Sequence, residues 1–164
     1  MNSISLINTN RDPHVVNEDY FAVKVVYDSS VESTKYVGFY FGDTDLLEFS
    51  VDRETNTIKK FQLVLCNHFE MLDAELHSED VSETGCVSIG LPQHNECDIF
   101  NVRVYRNAVE IILSNKNVEK TIKSGQVLYC LSNAGDLVNV IIEEMTECEI
   151  KHTIEELKMG GAND

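Results

Sequence analysis

The sequence predicts an α+β fold, mainly an antiparallel β-sheet or half-barrel with a C-terminal α-helix packed on it. Three observations predict it. From Tyr20 to Ile142 apolar residues recur with a period of two, the period of half-buried strands. Short polar clusters rich in Asn, Asp and Gly punctuate these runs, as hairpin turns require. After Thr146 the apolar spacing changes to that of a helix.

In chain order, residues 1–17 are polar and aperiodic, with turn chemistry at Asn8–Pro13, and are expected to form a flexible N-terminal arm. Residues 18–164 are expected to form a single β-rich domain. Phe21, Val23, Val25 and Tyr27 alternate along a first strand; Asp28–Thr34 is a polar loop. Val37, Phe39 and Phe41 form the next apolar face, punctuated by Gly42-Asp43-Thr44. Leu47, Phe49 and Val51 then face one way, with Glu48 and Ser50 opposite. Asp52–Thr57 reads as a hairpin loop with Asn56 in a left-handed position, which Asn tolerates better than most residues. Ile58–Phe69 is the longest strand pattern, with Phe61, Leu63 and Leu65 on one face and Val64 and Cys66 on the other.

Glu70–Glu83 is acidic and contains no Lys or Arg; Met71, Leu72 and Leu76 suit a short helical turn or a loop. Strand patterns resume at Cys86–Leu91. Asp98–Tyr105 and Val109–Ser114 read as a hairpin around Arg106-Asn107-Ala108. Val118–Lys123 precedes a turn at Ser124-Gly125, and Val127–Leu131 with Leu137–Ile142 makes a last hairpin. Thr146-Glu147-Cys148-Glu149 fits a capping box, in which the Thr hydroxyl and the Glu carboxylate each satisfy a free amide. Ile150, Ile154 and Leu157 then form one stripe of a helix expected over 147–158.

The chain of 164 residues is long enough to bury a core, and its 43% hydrophobic and 25% charged residues are those of a folded globular protein. It carries 28 Asp and Glu against 13 Lys and Arg, a formal net charge of −15. That charge argues against a nucleic-acid-binding or anionic-membrane surface and favours a cationic partner. No apolar run approaches a membrane span, and the first residues lack a basic segment followed by an apolar one, so a cytoplasmic location is expected. The five cysteines, Cys66, Cys86, Cys97, Cys130 and Cys148, are widely spaced, which fits reduced side chains in a core.

Signs of catalysis are sparse. None of the histidines His14, His68, His77, His94 and His152 falls in a metal motif; His94 and Cys97 are the nearest to a ligand pair. Cys66 and His68 share a strand face but no strained elbow flags a nucleophile. No phosphate-binding glycine motif occurs. Asp43, Asp45 and Glu48 lack the spacing of a calcium loop. No catalytic residue, cofactor or metal is therefore expected. The acids themselves are the candidate binding residues: Asp43, Asp45 and Glu48 in one loop, and Glu70, Asp73, Glu75, Glu79 and Asp80 in the cation-free stretch. Such a surface steers a basic protein into encounter.

The segment Phe41-Gly42-Asp43-Thr44-Asp45-Leu46-Leu47-Glu48-Phe49-Ser50-Val51-Asp52, followed by Glu54-Thr55-Asn56 and Ile58–Cys66, resembles a hairpin of small bacterial immunity proteins, which partner polymorphic toxins including those of contact-dependent growth inhibition. The resemblance implies a non-enzymatic cytoplasmic antitoxin. It would bind the C-terminal toxin domain of a cognate effector and block its active site or substrate surface. Many such toxins are nucleases, whose basic clefts suit an acidic cap. The expected function is thus an immunity protein that neutralises a cationic toxin domain, with a nuclease as the expected target and no direct contact to nucleic acid or membrane. The alternatives are an acidic DNA mimic that inhibits a nucleic-acid-binding enzyme, and a β-rich ligand-binding module.

Overall fold

The computed structural model describes residues 3–7, 11–78 and 80–161. The described residues form fifteen strands and one C-terminal helix, the expected α+β class, with open sheets rather than a closed or half-closed barrel. The chain begins with β1 (Ser3–Ile7), β2 (His14–Val15), β3 (Lys24–Val26), β4 (Thr34–Phe41), β5 (Asp45–Asp52) and β6 (Ile58–Leu65). It continues with β7 (Phe69–Met71), β8 (Glu83–Thr84), β9 (Cys86–Gly90), β10 (His94–Glu96), β11 (Asn101–Val104) and β12 (Val109–Ile112). It ends with β13 (Lys120–Ser124), β14 (Val127–Leu131), β15 (Leu137–Ile142) and the helix α1 (Glu147–Gly161). One sheet runs β10-β4-β5-β6-β3-β2 and a second β7-β11-β12-β15-β14-β13-β8; β1 and β9 pair separately.

The alternating apolar residues place the core between the two large sheets. Leu47, Phe49, Val51 and Phe61 of the first are fully buried, as are Val102, Ile111, Tyr129 and Val140 of the second. The rings of Phe61 and Tyr129 meet edge-on with centroids 6.3 Å apart. The Tyr27 and Tyr129 hydroxyls lie 2.9 Å apart, so these two buried polar groups satisfy each other between the sheets. Burial pushes the Tyr27 phenol up to about 12 and that of Tyr129 well above its ordinary value.

β6 departs from the expected face pattern. Leu47 pairs with Leu63 but Leu46 with Leu65, leaving Val64 as the extra residue of a β-bulge. A one-residue insertion swaps the faces that follow it. Leu65 is therefore 48% exposed although it shares its parity with buried Phe61 and Leu63.

Residues 1–17, expected to be an arm, contain two paired strands. Ser3–Ile7 pairs antiparallel with Cys86–Gly90 along its length, and His14-Val15 with Val25-Val26. An edge strand held mainly by backbone bonds needs no apolar alternation, which is why the pattern missed it. Pro13 also packs on Gly125, whose φ of +62 and the 2.3 Å separation of an added Cβ from Pro13 Cδ leave room only for glycine.

The cation-free stretch has a defined course. β7 and β8 are the opposite edges of the second sheet, so the segment between them crosses its outer face. Six strand spacings amount to about 29 Å, which residues 72–82, at about 36–40 Å when extended, span with slack. Among its described residues no helical turn forms. Leu76 covers Leu128, Cys130 and Ile141, a small apolar cluster on that outer face. Asn107 clamps the Leu76 backbone, accepting from its N–H at 2.8 Å and donating to its carbonyl at 3.0 Å.

The capping box forms as expected: Glu149 accepts from Thr146 N at 2.9 Å, and the Thr146 hydroxyl accepts from Glu149 N at 3.2 Å. Ile150 and Leu157 enter the main core, and Thr153 donates to the carbonyl of Ala22 at 2.8 Å. The helix continues through Gly161, past the expected end at 158. Thr146→Ala should lower stability by about 1 kcal/mol. Urea denaturation measures this; an unchanged midpoint would contradict the role of the cap.

Candidate functional site

The turn between β4 and β5 organises one end of the molecule. Gly42 takes φ +54, which a glycine adopts without strain. Asp45, at the start of β5, is only 1% exposed. Its carboxylate accepts from Asn67 N at 2.8 Å, His68 N at 3.2 Å and the Thr44 hydroxyl at 2.7 Å. The Nδ1 of His68 lies 2.7 Å from it and, facing a carboxylate, donates. These bonds turn the chain after Leu65, so the strand expected over Ile58–Phe69 splits into β6 in the first sheet and β7 in the second. Asp45 is thus a structural anchor, not the surface contact expected from its charge: every side of its carboxylate faces the protein's own donors.

Cys66 and His68 do not form a nucleophile and base. His68 is held through Nδ1 by Asp45, and the Cys66 thiol donates to the His68 carbonyl with Sγ 3.5 Å away. Burial, then the charge of Asp45, pushes this thiol up to about 12. Nor do His94 and Cys97 converge. The His94 ring stacks on Tyr40 at 4.2 Å with its Nε2 2.6 Å from Glu96, while burial, then Glu96 and Asp98, raises the Cys97 thiol to about 12. Among the described residues, no group of three or more His, Cys, Asp or Glu is arranged to hold a metal ion.

The other candidate acids differ in their freedom. Asp43 stands exposed on the turn. Glu48 is half-buried on the outer face of β5 and accepts from Gln62 Nε2 at 3.3 Å. Glu70 pairs with Arg103 Nε at 2.7 Å, a contact that raises the Arg103 pKa. The Asp73 side chain is 97% exposed with Arg106 Nε 3.6 Å away, and Glu75 lies 3.4 Å from His77. Glu83 pairs with Lys120 at 3.0 Å. Asp80 is exposed, and Glu79 lies outside the described residues. A stretch without cations in sequence therefore receives three from neighbouring strands and turns.

Two clefts flank the β4–β5 turn and share Asp43 and Leu65 in their walls. One, of about 240 Å³, lies between the turn and the C-terminal end of α1, bounded by Tyr20, Cys66 and Glu156. The other, of about 380 Å³, is bounded by Tyr40, His94 and Glu96. Tyr20 is 86% exposed and holds a φ of 77, a strained value for a bulky residue. Three contacts from α1 fix the segment around it. Glu156 accepts from Tyr20 N at 3.2 Å, and Thr153 binds Ala22 O. His152 Nε2 lies 3.1 Å from Glu18 O and 3.0 Å from Phe21 O, so this nitrogen carries the hydrogen and donates. The sequence placed Tyr20 only at the head of a strand; its exposure depends on residues more than a hundred positions away.

The chain matches no protein-family model, and no curated protein matches it. No helix among the described residues is long and apolar enough to cross a membrane.

Two outcomes follow from this geometry. Asp45→Ala should cost about 3 kcal/mol by leaving buried donors unpaired, whereas Asp43→Ala should change stability by less than about 0.5 kcal/mol in the same denaturation assay. Equal effects would contradict the anchoring role. At pH 8 a thiol of pKa about 12 is ionised in only about one molecule in ten thousand. Iodoacetamide should therefore label exposed Cys148 first, by mass spectrometry, and Cys66 and Cys97 only after denaturation.

Proposed function

We propose that this protein is an immunity protein: in the cytoplasm it binds and neutralises a cognate bacterial toxin domain, a nuclease in the reading favoured here, by covering its cationic active site or substrate surface. The observation that carries this reading is the net charge of −15 mounted on a β-sandwich, with acids displayed on the strap and on the β4–β5 turn. A fixed anionic surface draws a basic partner into encounter at rates that neutral surfaces do not reach. The likeness of residues 41–66 to an immunity-protein hairpin supports the same partner class; those residues are the end of β4, the turn, β5 and β6. The raised Cys66 thiol and the engaged His68 favour action by binding over catalysis. An unbroken, phosphate-like row of carboxylates is disfavoured, because Arg103, Arg106 and Lys120 lie among the acids of the strap.

The test is co-expression with the C-terminal domain encoded by the gene immediately upstream. That domain alone should stop growth, and this protein should restore it. A neighbouring product without a toxic domain, or toxicity that this protein leaves untouched, would overturn the proposal.

A further inference from the structure

We infer that the paired clefts beside the β4–β5 turn, rather than the acidic strap, receive the cationic partner, and that they take arginine side chains from it. This inference rests on the proposed capture of a cationic protein and names the surface that performs it.

The first argument is charge that the protein leaves uncompensated. Glu70, Asp73 and Glu83 each have an Arg or Lys within 4 Å. Asp43 and Glu156 have no ion-pair partner among the described residues; on the strap Asp80 also has none, but it lines neither cleft. The walls of the two clefts contain no Lys or Arg, whereas clefts elsewhere contain Lys116, Lys59 or Arg106. The C-terminal turn of α1, at Glu156–Gly160, forms part of one wall and adds the negative end of its dipole.

The second argument is the apolar and aromatic surface set among these acids. Tyr20 is 86% exposed, and Leu65 is turned outward by the bulge at Val64. On the far side of the turn the half-buried Tyr40 ring is already covered by His94, stacked at 4.2 Å, and lies over Gly38, so Tyr20 supplies the free aromatic face. Large side chains that face solvent beside a cleft do not stabilise the core; they are what a partner buries. Carboxylates next to aromatic faces select a guanidinium over an ammonium, because it pairs in bidentate fashion with the acid and stacks on the ring. The strap exposes Met71 and Val81 but carries no Phe, Tyr or Trp.

The test uses the full chain and an acetylated nona-arginine peptide as probe. At low salt, amide shifts in a ¹⁵N titration should concentrate at Tyr20, at the turn around Asp43, at Leu65–Asn67 and at Glu156–Gly160. The double variant Asp43→Asn with Glu156→Gln should weaken binding about fivefold or more, and Glu75→Gln with Asp80→Asn, an equal loss of charge, less than about twofold. Gln at 156 keeps an acceptor for Tyr20 N. Tyr20→Gly, which relieves the positive φ, should keep or raise the Tm while weakening binding about threefold. Equal weakening by the two doubles, shifts centred on the strap, or no saturable binding would overturn the inference. Rescue of growth in co-expression is read separately, so the proposed function can stand where this surface assignment fails.

Discussion

The molecule turns on one buried carboxylate. Asp45 is removed from water, a placement that is costly unless every lone pair finds a donor. Four donors from Thr44, Asn67 and His68 meet it, and they come from the two places where the chain changes direction. The bonds to Asn67 and His68 end β6 and send the chain into the second sheet. The bond from Thr44 fixes the turn that carries Asp43. One charge thus sets the junction between the sheets and the geometry of the two clefts beside it.

The acidic surface is ordered by the same rule, that a charge is held where partners meet it. A chain of net charge −15 repels itself. On the strap, the repulsion is offset by Arg103, Arg106 and Lys120, by the Asn107 clamp and by Leu76 on its small apolar cluster. Beneath lies the main core, where Phe61 and Tyr129 bring the sheets into contact. At the turn, among the described residues, Asp43 and Glu156 have no ion-pair partner, and exposed Tyr20 and Leu65 stand around them.

Local features were legible in the sequence because their physics is local. Asn56 takes φ 61 in the hairpin where it was expected, the Thr146–Glu149 box closes, and the hairpins at Asn107 and Asn133–Asp136 form. Parallel edge pairs such as β10 with β4 and β7 with β11, and the pairing of β1 with β9, depend on partners distant in sequence and leave little periodic trace. Leu65 misled because a single extra residue reverses strand parity. Asp45 is the instructive case. It shares the parity of Leu47, Phe49 and Val51, so the pattern itself points it toward the core; its charge suggested the surface instead. Tyr20 gave no local signal, since its exposure and backbone are set by Glu156, His152 and Thr153 on the helix.

The most direct measurement is the stopped-flow association rate of this protein with the toxin domain proposed as its partner, as a function of ionic strength. The expected result is a rate that falls about tenfold or more from low to high salt, with Asp43→Asn and Glu156→Gln together slowing the low-salt rate and flattening the dependence. A rate indifferent to salt, in the parent protein as in the variant, would contradict capture of a cationic partner by this acidic surface.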